Sequence, residues 1–396
     1  MNILFQAYAC LPDKGGEFAV SWGWLNRLDS MLNEDDCIYV ISLTLEERHI
    51  TNSSLKHVKL IHIEQLEKIK WMRGAYYLGW QWLAYKTVKK MDVSFDIIHQ
   101  YSLSDFRMPG FFYKIKGAYK IFGPVGGGQQ CPKNLMDYDD KSHILRDIMN
   151  FSCKINPFYK HKISKYDKVY ACNYETQKYI KGAEVLIDCP LNDRMRKLVI
   201  PERNHEKVVI VFCGRLINKK GLFLLLDVIE RLRKQSHVFE LQIYGDGEQK
   251  DRLLQEIKNR RLEECVMYKG YMAYEQIVQV YNQADIFVLP SLRESGGNVL
   301  IEAMATALPI VSLDMSMSHI LKQHQAGLFV NVNQSKEEIL GEYTEHLGRL
   351  IDDEGLRKQL GLNGYQFVNS NLTWDALVEK IYGSLLKDNI EKRENS

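Results

Sequence analysis

PSLRESGGNVLIEAMATALP, residues 290–309, is the stretch from which the rest of the chain is read. The run DIFVLP ending at Pro290 is apolar after its first residue and reads as a buried strand, while Val299 to Ala307 is small and apolar and reads as a helix. Ser295-Gly296-Gly297-Asn298 is then the turn between them. A helix N-terminus carries unpaired N–H groups and partial positive charge, and two glycines let an anion come close to the backbone, so a phosphate suits this turn. Glu294 precedes the turn, and Glu302 follows Asn298 by four residues on the same helix face. That spacing is about 6 Å along the axis, of the order between a diphosphate and the ribose of a nucleotide. A carboxylate inside an apolar helix needs hydrogen-bond donors, which ribose hydroxyls supply. The competing reading is an ordinary βα turn of an α/β sheet, with Glu302 satisfied by partners in the core.

As a string, ESGGNVLIEAMATALPIV resembles the E-x7-E signature of retaining glycosyltransferases of the GT-B fold, family 4. The resemblance implies Glu294 on hydroxyls of a donor sugar, Glu302 on the ribose, and the turn of Ser295, Gly296, Gly297 and Asn298 on a diphosphate. It extends to other strand ends. Arg215 and Lys220 in GRLINKKG match the family string whose two cations hold the donor diphosphate. The chemistry is plain: a leaving nucleoside diphosphate gains negative charge as the glycosidic bond breaks, and fixed cations with N–H donors stabilise it without a metal. Read without the family, these two are surface cations. Gly245 sits in a further strand-turn-helix, FELQIYGDGEQK, and Gly270-Tyr271-Met272 resembles the family loop whose backbone reads the nucleotide base.

Earlier in the chain, Gly15-Gly16 follows the first strand and resembles the family's first glycine loop, which reaches toward the donor diphosphate; a plain helix start is the alternative. Glu17, Trp22, Arg107 and Pro109 fit a subgroup of the family without suggesting a role. His99 takes the first position of the family's histidine segment, near the transferred sugar, but Gln100 and Tyr101 stand where a second histidine is frequent. A lone histidine at a strand end is otherwise structural. GPVGGG, residues 123–128, resembles a subgroup loop facing the cleft where acceptor and donor meet, and triple glycine marks close backbone approach or mobility. The DYD string at 137–139 imitates a D-x-D metal motif but lies in a polar stretch and reads as a solvated loop.

Composition sets outer bounds. With 396 residues, 45% hydrophobic and 26% charged, the chain has the size of two ordinary globular domains. Its 52 Lys and Arg against 50 Asp and Glu give a net charge of +2, which argues against a nucleic-acid partner. The eight cysteines show no C-x-x-C pair or metal-ligand spacing and read as reduced core thiols. MNILFQAYAC enters a strand directly, without the features of a signal peptide, which points to the cytoplasm. Residues 68–90 carry six Lys or Arg, six Trp or Tyr and no acid. Such a segment lies on an anionic membrane surface, which a lipid-linked acceptor would favour, or packs as a helix on the sheet with its cations in water.

The resemblance and the strand-helix alternation together imply an α/β chain of two Rossmann-like doubly wound domains facing a cleft. Residues 1–195 form the acceptor side, 206–372 the nucleotide-sugar side, and 373–390 a helix returning to the first domain. The implied activity is metal-independent, retaining hexosyl transfer from a UDP- or GDP-linked sugar to a glycan or lipid-linked acceptor, in polysaccharide, O-antigen, lipopolysaccharide or glycolipid biosynthesis, with no cofactor. The alternatives are a degenerate nucleotide-sugar-binding scaffold subunit and a dinucleotide-dependent oxidoreductase. Against the latter, the first loop lacks G-x-G-x-x-G.

Overall fold

The computed structural model describes residues 1–12, 16–63, 75–139, 143–196, 200–203, 206–294 and 296–394. The chain divides into two units. The first comprises Met1–Gly128, Arg146–Asp188 and Trp374–Ser396, and the second Gln129–Leu145 and Cys189–Thr373.

The first unit is built on strands β1 (Asn2–Gln6), β2 (Cys37–Ile41), β3 (Val58–Leu60), β4 (Ile97–Gln100), β5 (Tyr119–Val125), β6 (Lys168–Ala171) and β7 (Glu184–Val185). They pair in parallel in the order β3-β2-β1-β4-β5-β6-β7. Ile3, Phe5, Ile38, Val40 and Ile97 form the inner face. The terminal helix Trp374–Glu394 contributes Leu377, Val378, Ile381 and Tyr382 to the same core. Its first residue sets the fit: the Trp374 ring stands edge-on to Trp24 at 5.8 Å and so close to Gly23 that a Cβ there would lie 1.9 Å from the ring.

The second unit holds β8 (Val208–Cys213), β9 (Phe239–Tyr244), β10 (Val266–Gly270), β11 (Ile286–Leu289), β12 (Ile310–Leu313) and β13 (Gly327–Val330). These are also parallel, in the order β10-β9-β8-β11-β12-β13. β11 and β12 are buried along their whole length, the pattern of strands covered on both faces. Numbered within each unit, both sheets follow the doubly wound order 3-2-1-4-5-6, with β7 added as a seventh strand at the edge of the first. The order reverses at β1/β4 in one and β8/β11 in the other, and the carboxyl ends of such strands are where open α/β sheets bind ligands.

Two readings of the sequence are corrected. Residues 129–145, assigned to the first domain with everything up to 195, belong to the second unit, as do 189–195. The DYD string inside that stretch is also no solvated loop. It closes a 3₁₀ helix, Lys133–Tyr138, and the Asp139 carboxylate is wholly buried against Arg293, with contacts of 3.0 Å to Nη2 and Nε. Asp137 meets Lys336 at 3.3 Å, and the Tyr138 hydroxyl is bonded to Asp227. These partners sit far along the chain and all in the second unit, which is why the segment goes with it.

Candidate active site

The switch point of the second sheet is a place where three strand ends are drawn together through glycines. After β8 the chain runs through Gly214 and Arg215 into a 3₁₀ turn, Asn218–Lys220, and the left-handed Gly221, at φ 70°, before helix Leu222–Lys234. A Cβ on Gly221 would lie 2.0 Å from the Pro290 carbonyl oxygen, so the loops after β8 and β11 touch backbone to backbone. The Leu292 N–H donates to the Lys219 carbonyl at 2.8 Å and joins them again. Gly245, after β9 with φ 138°, lies against Gly214 so closely that a Cβ would be 1.8 Å from its oxygen.

This packing gathers charge. Lys220 forms an ion pair with Glu294, to which the Ser291 hydroxyl also donates at 3.3 Å, and both charged groups are largely covered. Arg215 is exposed beside them. Burial lowers the Lys219 ammonium below its usual range, and Arg215 and Lys220 push it further down, against the opposing pull of Glu294. Sequence reading missed Lys219; the doubled lysine in NKKG was its one signal. Arg293 is paired with Asp139, so among the described residues Lys219 stands with Arg215 and Lys220 as a group of cations that shares the carboxylate of Glu294.

Helix Asn298–Ala305 starts at the same edge. Its N-cap is Gly297 in the left-handed region (φ 74°, ψ 43°), and no side chain caps it. Gly296 has its Cα side against Cys189, where a Cβ would be 2.4 Å from Sγ, and Ser295 lies outside the described residues. An uncapped helix start beside a surplus of cations is suited to an anion. Four residues on, the buried Glu302 carboxylate accepts from the Tyr281 hydroxyl at 3.1 Å. Burial raises it to about 7, the Tyr281 bond opposing that shift. Tyr281 is thus a partner that the sequence did not announce. Gly270, at φ 81°, has open space where a side chain would be, and its carbonyl accepts from the Gly245 N–H at 2.8 Å. Tyr271 after it is 75% exposed, and Met272 is half-buried.

The first unit treats its expected residues differently. Gly16, at φ 66°, starts helix Glu17–Asp29 without a side-chain cap, and Gly15 lies outside the described residues. Glu17 turns back to accept from the Ser104 N–H at 3.3 Å, and its carboxyl is raised by burial. His99, expected near the transferred sugar or else as a structural residue, is held inside the first unit. It is fully buried, with Nε2 at 2.6 Å from the Gly123 carbonyl and Nδ1 at 2.5 Å from the Tyr382 hydroxyl. A carbonyl only accepts, so Nε2 carries the proton and Nδ1 accepts from Tyr382. Burial lowers the ring to about 4, and this neutral imidazole ties β4 to the terminal helix through Tyr382. The triple glycine serves packing: a Cβ on Gly128 would lie 2.5 Å from Thr176 Cα.

The basic aromatic stretch 68–90 is described from residue 75 onward; 68–74 lie outside the described residues. Helix Tyr76–Lys89 buries Tyr77 and Trp80, both edge-on to Tyr8 at 5.0 and 5.1 Å, and leaves Trp82 exposed under Lys86. Its described rings are thus largely committed to the core. No helix among the described residues is long and apolar enough to cross a membrane.

Two doubly wound parallel units in one chain give the GT-B fold. Residues 193–367 match the family model Glycosyl transferases group 1. Among curated relatives, the amylovoran biosynthesis glycosyltransferase AmsK of Erwinia amylovora is 36% identical over 126 residues, 30% of this chain and 31% of that protein. The first curated relatives are matched over only 29% to 44% of their own length. Solved structures align more fully. The apo lipopolysaccharide outer core galactosyltransferase WaaB covers 97% of this chain and 100% of its own, at TM-score 0.66 and 17% identity. Anabaena Alr3699/HepE in complex with UDP covers 98% and 100%, at 0.61 and 14%. At these identities the likeness is one of fold.

Proposed function

We propose that this protein transfers a sugar from a nucleoside diphosphate donor to a hydroxyl acceptor with retention of anomeric configuration and without a metal. The observation that carries the reading is the surplus of cations, Arg215, Lys219 and Lys220, beside the uncapped start of helix Asn298–Ala305 at the β8/β11 switch point. The diphosphate sits on these groups, Lys220 dividing its charge between phosphate and Glu294. Ribose hydroxyls reach Glu302, the base lies along Gly270, Tyr271 and Met272, and Glu294 accepts from hydroxyls of the sugar. As the bond from anomeric carbon to phosphate oxygen breaks, the cations and N–H groups take up the charge on the leaving diphosphate. The acceptor oxygen bonds to the anomeric carbon from the same face, and its proton passes to the departing phosphate oxygen.

The bound UDP of the Anabaena protein and the names of the amylovoran and lipopolysaccharide relatives favour a UDP-sugar and a surface-polysaccharide setting. Thermal denaturation with UDP, GDP, ADP and their sugars tests the donor, since a ligand bound only by the native state raises the midpoint. A shift with one nucleotide family is expected, unchanged by EDTA. No shift with any, or one that needs a divalent cation, refutes the site as drawn. The anomeric configuration of a transfer product, read by NMR, tests retention.

A further inference from the structure

Helix His143–Ile155 has the reverse of the polarity expected of a surface helix. Positions 146, 150 and 153 share the stripe facing the first unit. There the Arg146 Nη2 and Asn150 Nδ2 groups donate to the Gly127 carbonyl at 3.1 and 3.2 Å, and Cys153 packs on the cluster of Phe106, Tyr159 and Tyr166. The opposite stripe, which ordinarily is polar, holds Ile148, Phe151 and Ile155, exposed by 61%, 59% and 59%. The adjoining helix Pro157–Ile163 carries Phe158, 78% exposed, in its first turn. Scattered exposed apolar residues are ordinary, but a continuous apolar stripe on one helix marks an interaction surface.

Charge identifies the partner. Between residues 146 and 165 stand Arg146, Lys154, Lys160, Lys162 and Lys165 against one acid, Asp147. Lys154, Lys160 and His161 are exposed around the apolar stripe. In a symmetric contact with a second copy these like charges would face one another. An anionic surface satisfies both the apolar stripe and its basic border. The helix, at 13 residues, is too short to span a bilayer, so it would lie in the plane of the interface.

We infer that this face docks the protein on an anionic phospholipid bilayer, with Ile148, Phe151, Ile155 and Phe158 at the acyl boundary and Lys154, Lys160 and His161 on lipid phosphates. The inference stands on the helix and does not depend on the sugar-transfer reading. Flotation with vesicles of phosphatidylcholine, with and without phosphatidylglycerol, is the test. The protein floats with the anionic vesicles, far less with the neutral ones, and high salt weakens the association. Ile148→Ser/Phe151→Ser/Ile155→Ser reduces anionic vesicle binding by about tenfold or more. Lys154→Glu/Lys160→Glu lowers it while leaving the weak neutral-vesicle binding alone. Circular dichroism checks that the variants fold, and the charge variant with the two lipid compositions decides the matter if the serine variant does not. Equal binding of all forms overturns the inference. So does a concentration-dependent dimer, broken by the serine variant, in a protein that floats with neither vesicle.

Discussion

Glu302 is the residue whose environment makes the sharpest demand. Its carboxyl lies at about 7 in the folded protein against 4.5 for a free glutamate, so the native state holds its proton more tightly than the unfolded chain. The sign follows: the contribution to stability is complete below pH 4.5 and is lost as pH rises through 7. Glu302→Gln removes the penalty for charging this group, so it stabilises the protein at pH 8 by about 2–3 kcal/mol and has little effect at pH 5. Urea denaturation of both forms at the two pH values checks this. Ribose hydroxyls favour the ionised carboxylate, so nucleotide binding to the native protein releases a proton near pH 7, and its affinity rises with pH through that region. Calorimetry in buffers of different ionisation heat reads that proton, and Glu302→Gln abolishes it. Lys220→Ala weakens nucleotide binding by roughly 10- to 100-fold, the loss of a charge-assisted contact worth about 1.5–3 kcal/mol. Unchanged affinity in a folded variant would remove the diphosphate from this place. The positions of Glu294, Lys220 and Glu302 were legible because each lies within a few residues of a glycine turn that fixes it. His99 was not, because the hydroxyl that occupies its Nδ1 belongs to Tyr382, 283 residues further on.

At the scale of elements, the glycines at the strand ends do different work, and the difference is measurable. Gly221 and Gly245 combine positive φ with backbone oxygens 2.0 and 1.8 Å from where a Cβ would sit, whereas Gly270 has positive φ and open space. Gly270→Ala therefore costs only the left-handed backbone, about 1 kcal/mol. Gly221→Ala or Gly245→Ala must also push two strand ends apart, and each loses at least about 3 kcal/mol, read from urea denaturation midpoints. Equal losses at all three would mean that the loops after β8, β9 and β11 do not meet as described. The sequence showed these turns clearly, because a glycine after an apolar run punctuates strand and helix alike. It did not show which glycines are pressed against backbone, since that depends on neighbours brought together by the sheet. For helix Tyr76–Lys89, aromatic content alone left the direction of the rings open. The structure turns Tyr77 and Trp80 inward, where Tyr8 supplies an aromatic partner from the loop after β1.

At the scale of the whole molecule, alternating strands and helices together with the family resemblance pointed to two doubly wound sheets, because parallel strands need helical crossovers. The path of residues 129–145 was not readable. Its anchors, Asp227, Arg293, Gln334 and Lys336, are all distant in sequence, and one of them makes a prediction about how the second unit is held. Arg293 is buried, and Asp139 is its buried counter-charge. Asp139→Ala leaves a guanidinium in the interior without its carboxylate, which costs about 3–5 kcal/mol. Arg293→Met added to Asp139→Ala removes the stranded charge and recovers much of that loss, since an apolar side chain of similar length replaces an ion pair at little cost. Asp137→Ala serves as the control, because the exposed Asp137–Lys336 pair contributes about 0–1 kcal/mol. Hydrogen exchange distinguishes local from global loss: protection falls in Lys133–Tyr138 and the loop after β11 before it falls in β8 or β9. If Asp139→Ala is no more damaging than Asp137→Ala, the crossing segment is merely laid on the second unit, and the buried pair does not hold it there.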